Sequence, residues 1–430
     1  MAGGHINKVA VVGAGPVGLL TALMLGQKGI DVDVLEANNE VNSSPRGLAY
    51  GPAAVRVLHR AGILEKVMKK GFVASGSAWR KPDGTMIMEF DRLDTTQEEL
   101  PHTVLLPVGS LSALLVEEVR AYSNVTIHWN HRATDIGQDS EKAWVRVEKP
   151  SSGVIKTIEA DFLVGSDGGS STVRKALFSG NFPGFTWPIQ LIAVNASIDF
   201  GNTGLSLSQW IIDPLHWFVI ARINKEGLWR IVYGETPGLS IDEIRIRLTK
   251  RFREHLPGNP EPEKYTLHNV TPYSIHQRCA EKMRVGRIML AGDAAHLNNP
   301  MGGLGLTTGI ADVGSLIDCL YGIHDGVASL NILDKYSEIR REIFLTKTDV
   351  ISTANFKRVM QDAEGIADRD PFFQILAQAK RDPAIAKSLI EAQLSIGCDM
   401  TQFYDRKPMY GSAIDETDSA TKATGSDAEN

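Results

Sequence analysis

Cysteine is scarce in this chain: Cys279, Cys319 and Cys398 are the only three in 430 residues, odd in number and widely spaced. That pattern excludes a disulfide framework and a cysteine-based metal site, and it fits reduced thiols in a cytoplasmic protein. Long apolar runs are missing too. No window approaches the roughly twenty apolar residues that a membrane span requires. Val9 to Leu25 is uncharged and close to the N-terminus, but its glycines and the lack of a basic flank or a small-residue cleavage site set it apart from a secretory leader. Basic clusters are also lacking. The formal net charge is −6 with Lys and Arg scattered, so nothing attracts nucleic acid or an anionic membrane. Hydrophobic residues nevertheless make up 43% of the chain, ample for a core, and the length suits two or three lobes.

What is present begins at Lys8. Val9-Ala10-Val11-Val12 is the apolar run of a strand covered on both faces, and it leads directly into Gly13-Ala14-Gly15-Pro16-Val17-Gly18. In that spacing the first glycine makes a tight turn, the second lets backbone approach a pyrophosphate, and the third lets a helix pack close to the sheet. The helix N-terminus turns free N–H groups and a positive dipole end toward the phosphates. A second strand through Val32 and Val34 ends at Glu36, about twenty residues on, where a carboxylate can accept hydrogen bonds from a ribose diol. Strand, turn, helix, strand and acid in register predict a bound dinucleotide.

Two later stretches repeat the theme. Asp161-Phe162-Leu163-Val164 is a strand that stops at Gly165-Ser166-Asp167-Gly168 and is followed by a serine-led helix start through Arg174. Arg287 to Ala291 is another apolar strand, ending in Gly292-Asp293-Ala294-Ala295-His296 and then Asn299-Pro300-Met301-Gly302-Gly303-Leu304-Gly305 ahead of a helix. Glycines cost order, so this cluster makes sense where a flat ring lies against backbone. His296 within such a turn is better explained as a hydrogen-bonded structural histidine than as a base. Arg46, in the polar loop 38–50, reads equally as a solvated arginine and as a guanidinium over a pyrophosphate.

Elsewhere, short β-like pieces fill 71–101, and Val125–Trp129, Ala143–Val147 and Ile155–Ile158 suggest a meander. From 182 to 274, aromatic-rich alternating strands predict a mainly antiparallel lobe. Trp217, Trp229 and Tyr233 fit its core as well as they fit a ligand face. The expected division is a dinucleotide-binding domain from 1–75, 102–180 and 276–360, an inserted sheet domain from 76–101 and 181–275, C-terminal helices over 361–410, and a polar, disordered tail over 411–430.

Taken together, Gly13-x-Gly15-x-x-Gly18 with Glu36, Asp167-Gly168 with Arg174, and Gly292-Asp293 through Pro300 and Gly305 resemble the flavoprotein aromatic monooxygenases of the para-hydroxybenzoate hydroxylase type, over roughly residues 6 to 350. The stretches Asp213 to Trp217 and Leu228 to Gly234 look most like members of fungal secondary metabolism. The resemblance implies an α/β fold in which a Rossmann-type, glutathione-reductase-like FAD domain carries an inserted β-sheet substrate domain. It further implies that Gly13, Gly15, Pro16, Gly18 and Glu36 hold the ADP part of FAD and that Arg46 touches the pyrophosphate. Asp293 would hold the ribitol, and Asp167, with Arg174 in its motif, would serve both FAD and a passing NADPH. Pro300 would stand near the reactive edge of the flavin, and Gly303, Leu304 and Gly305 would offer N–H groups to its pyrimidine end. In place of the asparagine usual in the family stands Thr307, whose hydroxyl would take over a hydrogen bond near the flavin.

The activity implied is NAD(P)H- and O2-dependent oxygenation of an electron-rich aromatic or enolic small molecule through a C4a-hydroperoxyflavin, with no metal. A phenol is a far better nucleophile as phenolate, so a group that holds its oxygen anionic is needed. Tyr233 is the first candidate, followed by His216, Arg222 and Arg230; strand alternation puts Arg230 and Tyr233 on opposite faces. Epoxidation and Baeyer–Villiger insertion share the scaffold, and a flavin dehydrogenase or a non-enzymatic NAD-binding protein would share the first motif. A halogenase would want a Trp-x-Trp-x-Ile-Pro stretch, which the chain does not contain. A monomer and a homodimer are equally compatible with the sequence.

Overall fold

The computed structural model describes residues 5–42, 47–74, 76–91, 100, 103–200, 208–224 and 226–405. Arg46 and the tail 411–430 lie outside them. Val9 to Val12 form the middle of a six-stranded sheet because they are apolar on both faces and can be covered on both. Its order is Arg284–Val285, Ile288–Leu290, Phe162–Gly165, Lys8–Val12, Asp31–Leu35 and Val125–His128. All neighbours are parallel except the first pair. The strands that end in the three glycine motifs are therefore adjacent, and all three motifs emerge at one sheet edge. The helices Pro16–Gln27, Val108–Val119 and Leu304–His324 pack with this sheet in one core.

Val125–His128 departs from the expected meander. It pairs parallel to Asp31–Leu35, with Val32 opposite Val125, as the sixth strand of the first sheet. The meander consists instead of Arg132–Gln138, Ala143–Lys149 and Val154–Ala160. An apolar run does not itself say which partner it will find.

The second large sheet has eight strands in the order His296–Leu297, Tyr265–Cys279, Gly184–Ile198, Leu228–Glu235, Phe218–Arg222, Ser208–Ile211, Gly76–Arg80 and Met86–Asp91. It is antiparallel apart from one parallel pairing, Ser208–Ile211 with Gly76–Arg80. One face is covered by the helix Ile241–His255, which starts at a capping box made by Ser240 and Glu243 and buries Ile244, Leu248 and Phe252. The other face looks toward Met301 and Phe356. Helices then run on to Pro383–Leu394. Among the described residues one helix, Leu304–His324, has the length and hydropathy to cross a membrane, yet 89% of its apolar window is buried inside the protein.

A buried polar cluster ties the two sheets together. Asp312, in the middle of Leu304–His324, accepts hydrogen bonds from the Gly292 N–H (2.9 Å) and from Arg340 Nε (2.7 Å), and pairs with His296 Nε2 (2.8 Å). Arg340 also donates to Ile396 O at 2.5 Å, and the His296 ring stacks on Phe344. Burial alone would push the Asp312 carboxyl up. His296, Arg340 and the Gly292 N–H overcome that and hold it below the ordinary carboxylate value. A depressed carboxylate stabilises the fold above its unfolded pKa, and that contribution is lost as pH falls. Asp312→Ala leaves Arg340 buried without its carboxylate and is expected to cost ~3–5 kcal/mol. Thermal unfolding followed by circular dichroism checks this; a transition unchanged at neutral pH would remove Asp312 from the role.

Candidate active site

The glycine turn is shaped by what stands beside it. Gly13 has φ +105°, and a Cβ there would lie 2.5 Å from Ser166 O, so the first motif can abut the second only with glycine. A Cβ on Gly18 would lie 2.0 Å from Gly13 O, which forces the helix tight against the turn. Gly15 differs. Its φ of −75° suits any residue, yet a Cβ there would meet nothing within 4 Å. Neither packing nor backbone strain demands glycine at 15, so the open space over it is the feature that accounts for the residue. The helix Pro16–Gln27 starts there with no side-chain cap and with Pro16 in its first turn, leaving backbone donors for an anion. Glu36 stands at the rim, accepting from Ala14 N (2.8 Å) through Oε2 and from Asn38 through Oε1.

In the second motif the carboxylate is tied to the helix that follows it. Asp167 accepts from Ser171 Oγ (2.5 Å) on one oxygen and from the Thr172 and Val173 N–H groups (2.6 and 3.2 Å) on the other. Its carboxyl caps the start of the helix Thr172–Leu177, and burial pushes it up despite those bonds. Arg174 is a staple. It donates to Ala294 O (3.0 Å) and Gly169 O (2.8 Å) and lies 3.6 Å over the Phe182 ring, so it fixes the second motif against the third from a buried position.

In the third motif Asp293 and Pro300 are exposed while their neighbours Gly292, Ala294 and Asn299 are buried. Asn299 is held by Gln277, whose Oε1 accepts from its N–H (2.8 Å) and its Nδ2 (3.1 Å); Gln277 Nε2 in turn donates to Asp349 Oδ1 (2.6 Å) and Ser352 Oγ (3.0 Å). Asn299 Oδ1 accepts from Met301 N, closing the turn that presents Pro300. Gly303, at φ +65°, starts the helix Leu304–His324, again without a side-chain cap. Leu304 and Gly305 in its first turn are partly exposed. Thr307 is buried and its hydroxyl accepts from Gly51 N (2.9 Å), bracing that loop. Gln277, Asn299 and Asp312 escaped the sequence reading. Only Asp312 carries a signal, as a lone carboxylate in an apolar helix.

These features fit FAD. Two helix N-termini lacking side-chain caps match a dinucleotide with anionic character at its pyrophosphate and at its pyrimidine end. The space over Gly15 and the exposed carboxylate of Asp293 suit its phosphate and its ribitol hydroxyls.

Tyr233, His216 and Arg222 fall beside the helix Ile241–His255 and its core. Tyr233 is fully buried on the face covered by Ile241–His255, among Phe218 and Phe252, with Arg251 over its ring at 4.9 Å. His216 stacks on His255 at 3.6 Å, at the end of that same helix. Arg222 donates to Asn224 O and lies 5.8 Å over Trp229, which belongs to the helix-side core. Alternation puts Arg230 and Val232 on the opposite face, where Val232 packs in one cluster with Met301.

The model of the FAD binding domain family matches residues 7–349. The chain is 40% identical over 388 residues to the para-nitrophenol 4-monooxygenase of Pseudomonas sp. (strain WBC-3), covering 90% of this chain and 94% of that one. It is 36% identical over 366 residues to the 6-hydroxy-3-succinoylpyridine 3-monooxygenase HspB of Pseudomonas putida (strain DSM 28022 / S16), covering 85% and 92%. Among solved structures, p-nitrophenol 4-monooxygenase PnpA from Pseudomonas putida DLL-E4 superposes with a TM-score of 0.84 at 37% identity, over 91% of this chain and 98% of the other.

Two substitutions separate the roles. Gly15→Val is expected to fold and melt like the cofactor-stripped wild type while holding no flavin, read as flavin absorbance per protein; a full complement of FAD would show that the space over Gly15 is not the phosphate site. Tyr233→Phe removes a buried hydroxyl that has no hydrogen-bond partner. It is expected to leave product formation unchanged and to keep or raise stability by up to about 1 kcal/mol. A tenfold fall in turnover with FAD still bound would restore Tyr233 to the chemistry.

Proposed function

The chain belongs to the FAD binding domain family, among the flavin-dependent aromatic monooxygenases, and on that footing we propose that it hydroxylates a single-ring phenol with NAD(P)H and O2. The observation that carries this reading is Met301. It follows Pro300 in the turn and packs in one cluster with Val232 and Ala193 of the large sheet, so a ring beside that seam would meet both the turn and the sheet face.

Bound FAD supplies the redox chemistry, accepting electrons from NADPH or NADH and passing them to O2. The protein does the rest. Gly13 to Gly18 and Glu36 hold the ADP end, and Asp293 holds the ribitol. Pro300 and the N–H groups of Gly303, Leu304 and Gly305 set the ring's position and favour negative charge at its pyrimidine end. The apolar walls around Met301 and Leu48 exclude water from the reacting atoms.

The relatives narrow the substrate. By name, two of them act on para-nitrophenol and on a hydroxypyridine, each a single hydroxylated ring. That supports a small phenol over a larger fungal metabolite, and ring hydroxylation over epoxidation or Baeyer–Villiger insertion. Three free thiols support the reducing, cytoplasmic setting read from the sequence.

The test incubates the yellow holoenzyme with NADPH or NADH, a panel of para-substituted phenols and isotopically labelled O2. Expected is a product heavier by one labelled oxygen atom, with O2 uptake matching nucleotide oxidation. Nucleotide oxidation without O2 uptake or oxygenated product would instead make the protein a flavin dehydrogenase.

A further inference from the structure

Gln277, which grips Asn299, also lines a surface cleft of about 240 Å³ that none of the residues assigned above to FAD or to the phenol enters. Its walls divide by chemistry. Phe185 and Leu345 are exposed apolar lips, and Phe344 is buried beneath them. Arg278 and Arg341 supply two guanidiniums. Arg341 is tied by Nε to Ala280 O (3.2 Å), and its terminal nitrogens have no partner among the described residues. Arg278 donates to two uncharged acceptors, Phe182 O (2.6 Å) and Thr186 Oγ1 (3.3 Å). The carboxylate in the wall, Asp349, accepts from Gln277 Nε2 (2.6 Å), so the lining carries two cations against one anion. Cys279 adds no charge, because burial pushes its thiol up to about 12. The chain that carries Arg341, Leu345 and Asp349 is irregular at this point: Ile332–Ile343 and Asp349–Val359 are joined by a π-helical turn, Phe344–Thr348. Such turns recur at functional sites. Here Phe344 stacks on His296, and Thr348 Oγ1 hydrogen-bonds Thr308 Oγ1 (2.9 Å) in the helix Leu304–His324.

We propose that this cleft is a second, regulatory site for a small carboxylate with an apolar body, and that its occupancy is felt at the Pro300 turn. The site is independent of which ring the protein oxidises. Charge selects the headgroup. A carboxylate offers two coplanar oxygens to a guanidinium fork, and Arg341 has its terminal N–H groups free to meet them. The apolar lips lower the local dielectric beside that pair and strengthen it. Size selects the body. About 150 Å³ is enough to hold benzene in an apolar cavity, so a six-membered ring fits against Phe185, Phe344 and Leu345. Drug-sized ligands take about 300 Å³ or more, so a whole dinucleotide would overfill the space. The route to the turn runs through the floor. An anion drawn to Arg341 repels the Asp349 carboxylate, which holds Gln277 Nε2, and Gln277 Oε1 in turn holds the Asn299 N–H and Nδ2. Asn299 closes the turn at Met301 N, so a shift in Gln277 moves the segment that presents Pro300. By linkage the coupling is reciprocal.

The test titrates the oxidised holoenzyme with cyclohexanecarboxylate, which has no aromatic ring to hydroxylate, and follows heat and flavin absorbance together. Cyclohexanecarboxamide is the uncharged control. The wild type is expected to bind the acid saturably, to bind the amide at least about tenfold more weakly, and to show a flavin difference spectrum that tracks the binding curve. Arg341→Gln removes the fork, and Leu345→Trp fills the cleft from an exposed lip while keeping both arginines. Each is expected to retain FAD and the ligand-free spectrum, and to lose at least about tenfold in affinity for the acid along with the difference spectrum. No saturable binding, equal affinity for acid and amide, or binding with an unmoved flavin spectrum would each overturn the proposal. These three need no variant, so a misfolded Arg341→Gln does not shield it. Unchanged affinity in Leu345→Trp would overturn it as well. Strict competition by para-nitrophenol would put the carboxylate in the main cleft, and displacement by NADP+ would give the space to the nucleotide; either result sinks the regulatory site. Saturable binding that both variants lose, in a protein that yields no labelled product from phenols, would leave this site standing and sink only the oxygenation reading.

Discussion

A charged carboxylate in a dry helix must be satisfied, and Asp312 satisfies itself with the parts that both halves of the molecule share. Its partners are the Gly292 N–H at the end of a first-sheet strand, His296 at the start of a second-sheet strand, and Arg340 from the helix Ile332–Ile343. Because His296–Leu297 pairs with Tyr265–Cys279, the loop carrying Asp293 has no freedom to drift relative to the large sheet. Two residues upstream of Cys279, Gln277 then grips Asn299 and so fixes Pro300. The position of the Pro300 turn thus descends from a few buried polar groups with full complements of partners, an arrangement that is rigid when complete and costly when broken.

The first motif was legible in the sequence because its causes are local. A run of four apolar residues, a glycine spacing and a terminal acid lie within one unit of chain, and the close contacts that require Gly18 come from its own turn. The second motif is ambiguous for a related reason: an aspartate followed four and five residues on by Ser171 and Thr172 is written the same way whether it binds a ligand, caps a helix or does both. Tyr233 and Arg230 show a different limit. Period-two alternation separates their faces correctly, but which face meets the cleft depends on where Ile241–His255 and Met301 come to rest, and both are distant in sequence. Val125 likewise carries a strand signal that says nothing of a partner almost a hundred residues earlier. Gln277 gave no sign, since a glutamine in an alternating strand is ordinary.

The substrate side follows from the same separation of faces. One side of the large sheet is closed by a capped helix and filled with aromatic rings, which makes it a core. The other packs against the turn that carries Met301 and against Phe356. Stability and recognition are therefore divided between the two surfaces of a single set of strands.

The one parallel pairing in that sheet, Ser208–Ile211 with Gly76–Arg80, has a bearing on how the chain comes together. The Gly76–Asp91 hairpin leaves the ribosome early but can add to its sheet only after residues beyond 208 have emerged, and the first sheet in turn waits for Ile288–Leu290. Contacts of such long separation are slow to form, because loop closure must precede their reward. Gly76–Arg80 meanwhile has one open edge until Ser208–Ile211 arrives, with Met86–Asp91 already on its other side. The nascent chain must carry that open edge until about half of it has been made, and FAD would act late, trapping the assembled form rather than guiding the early one.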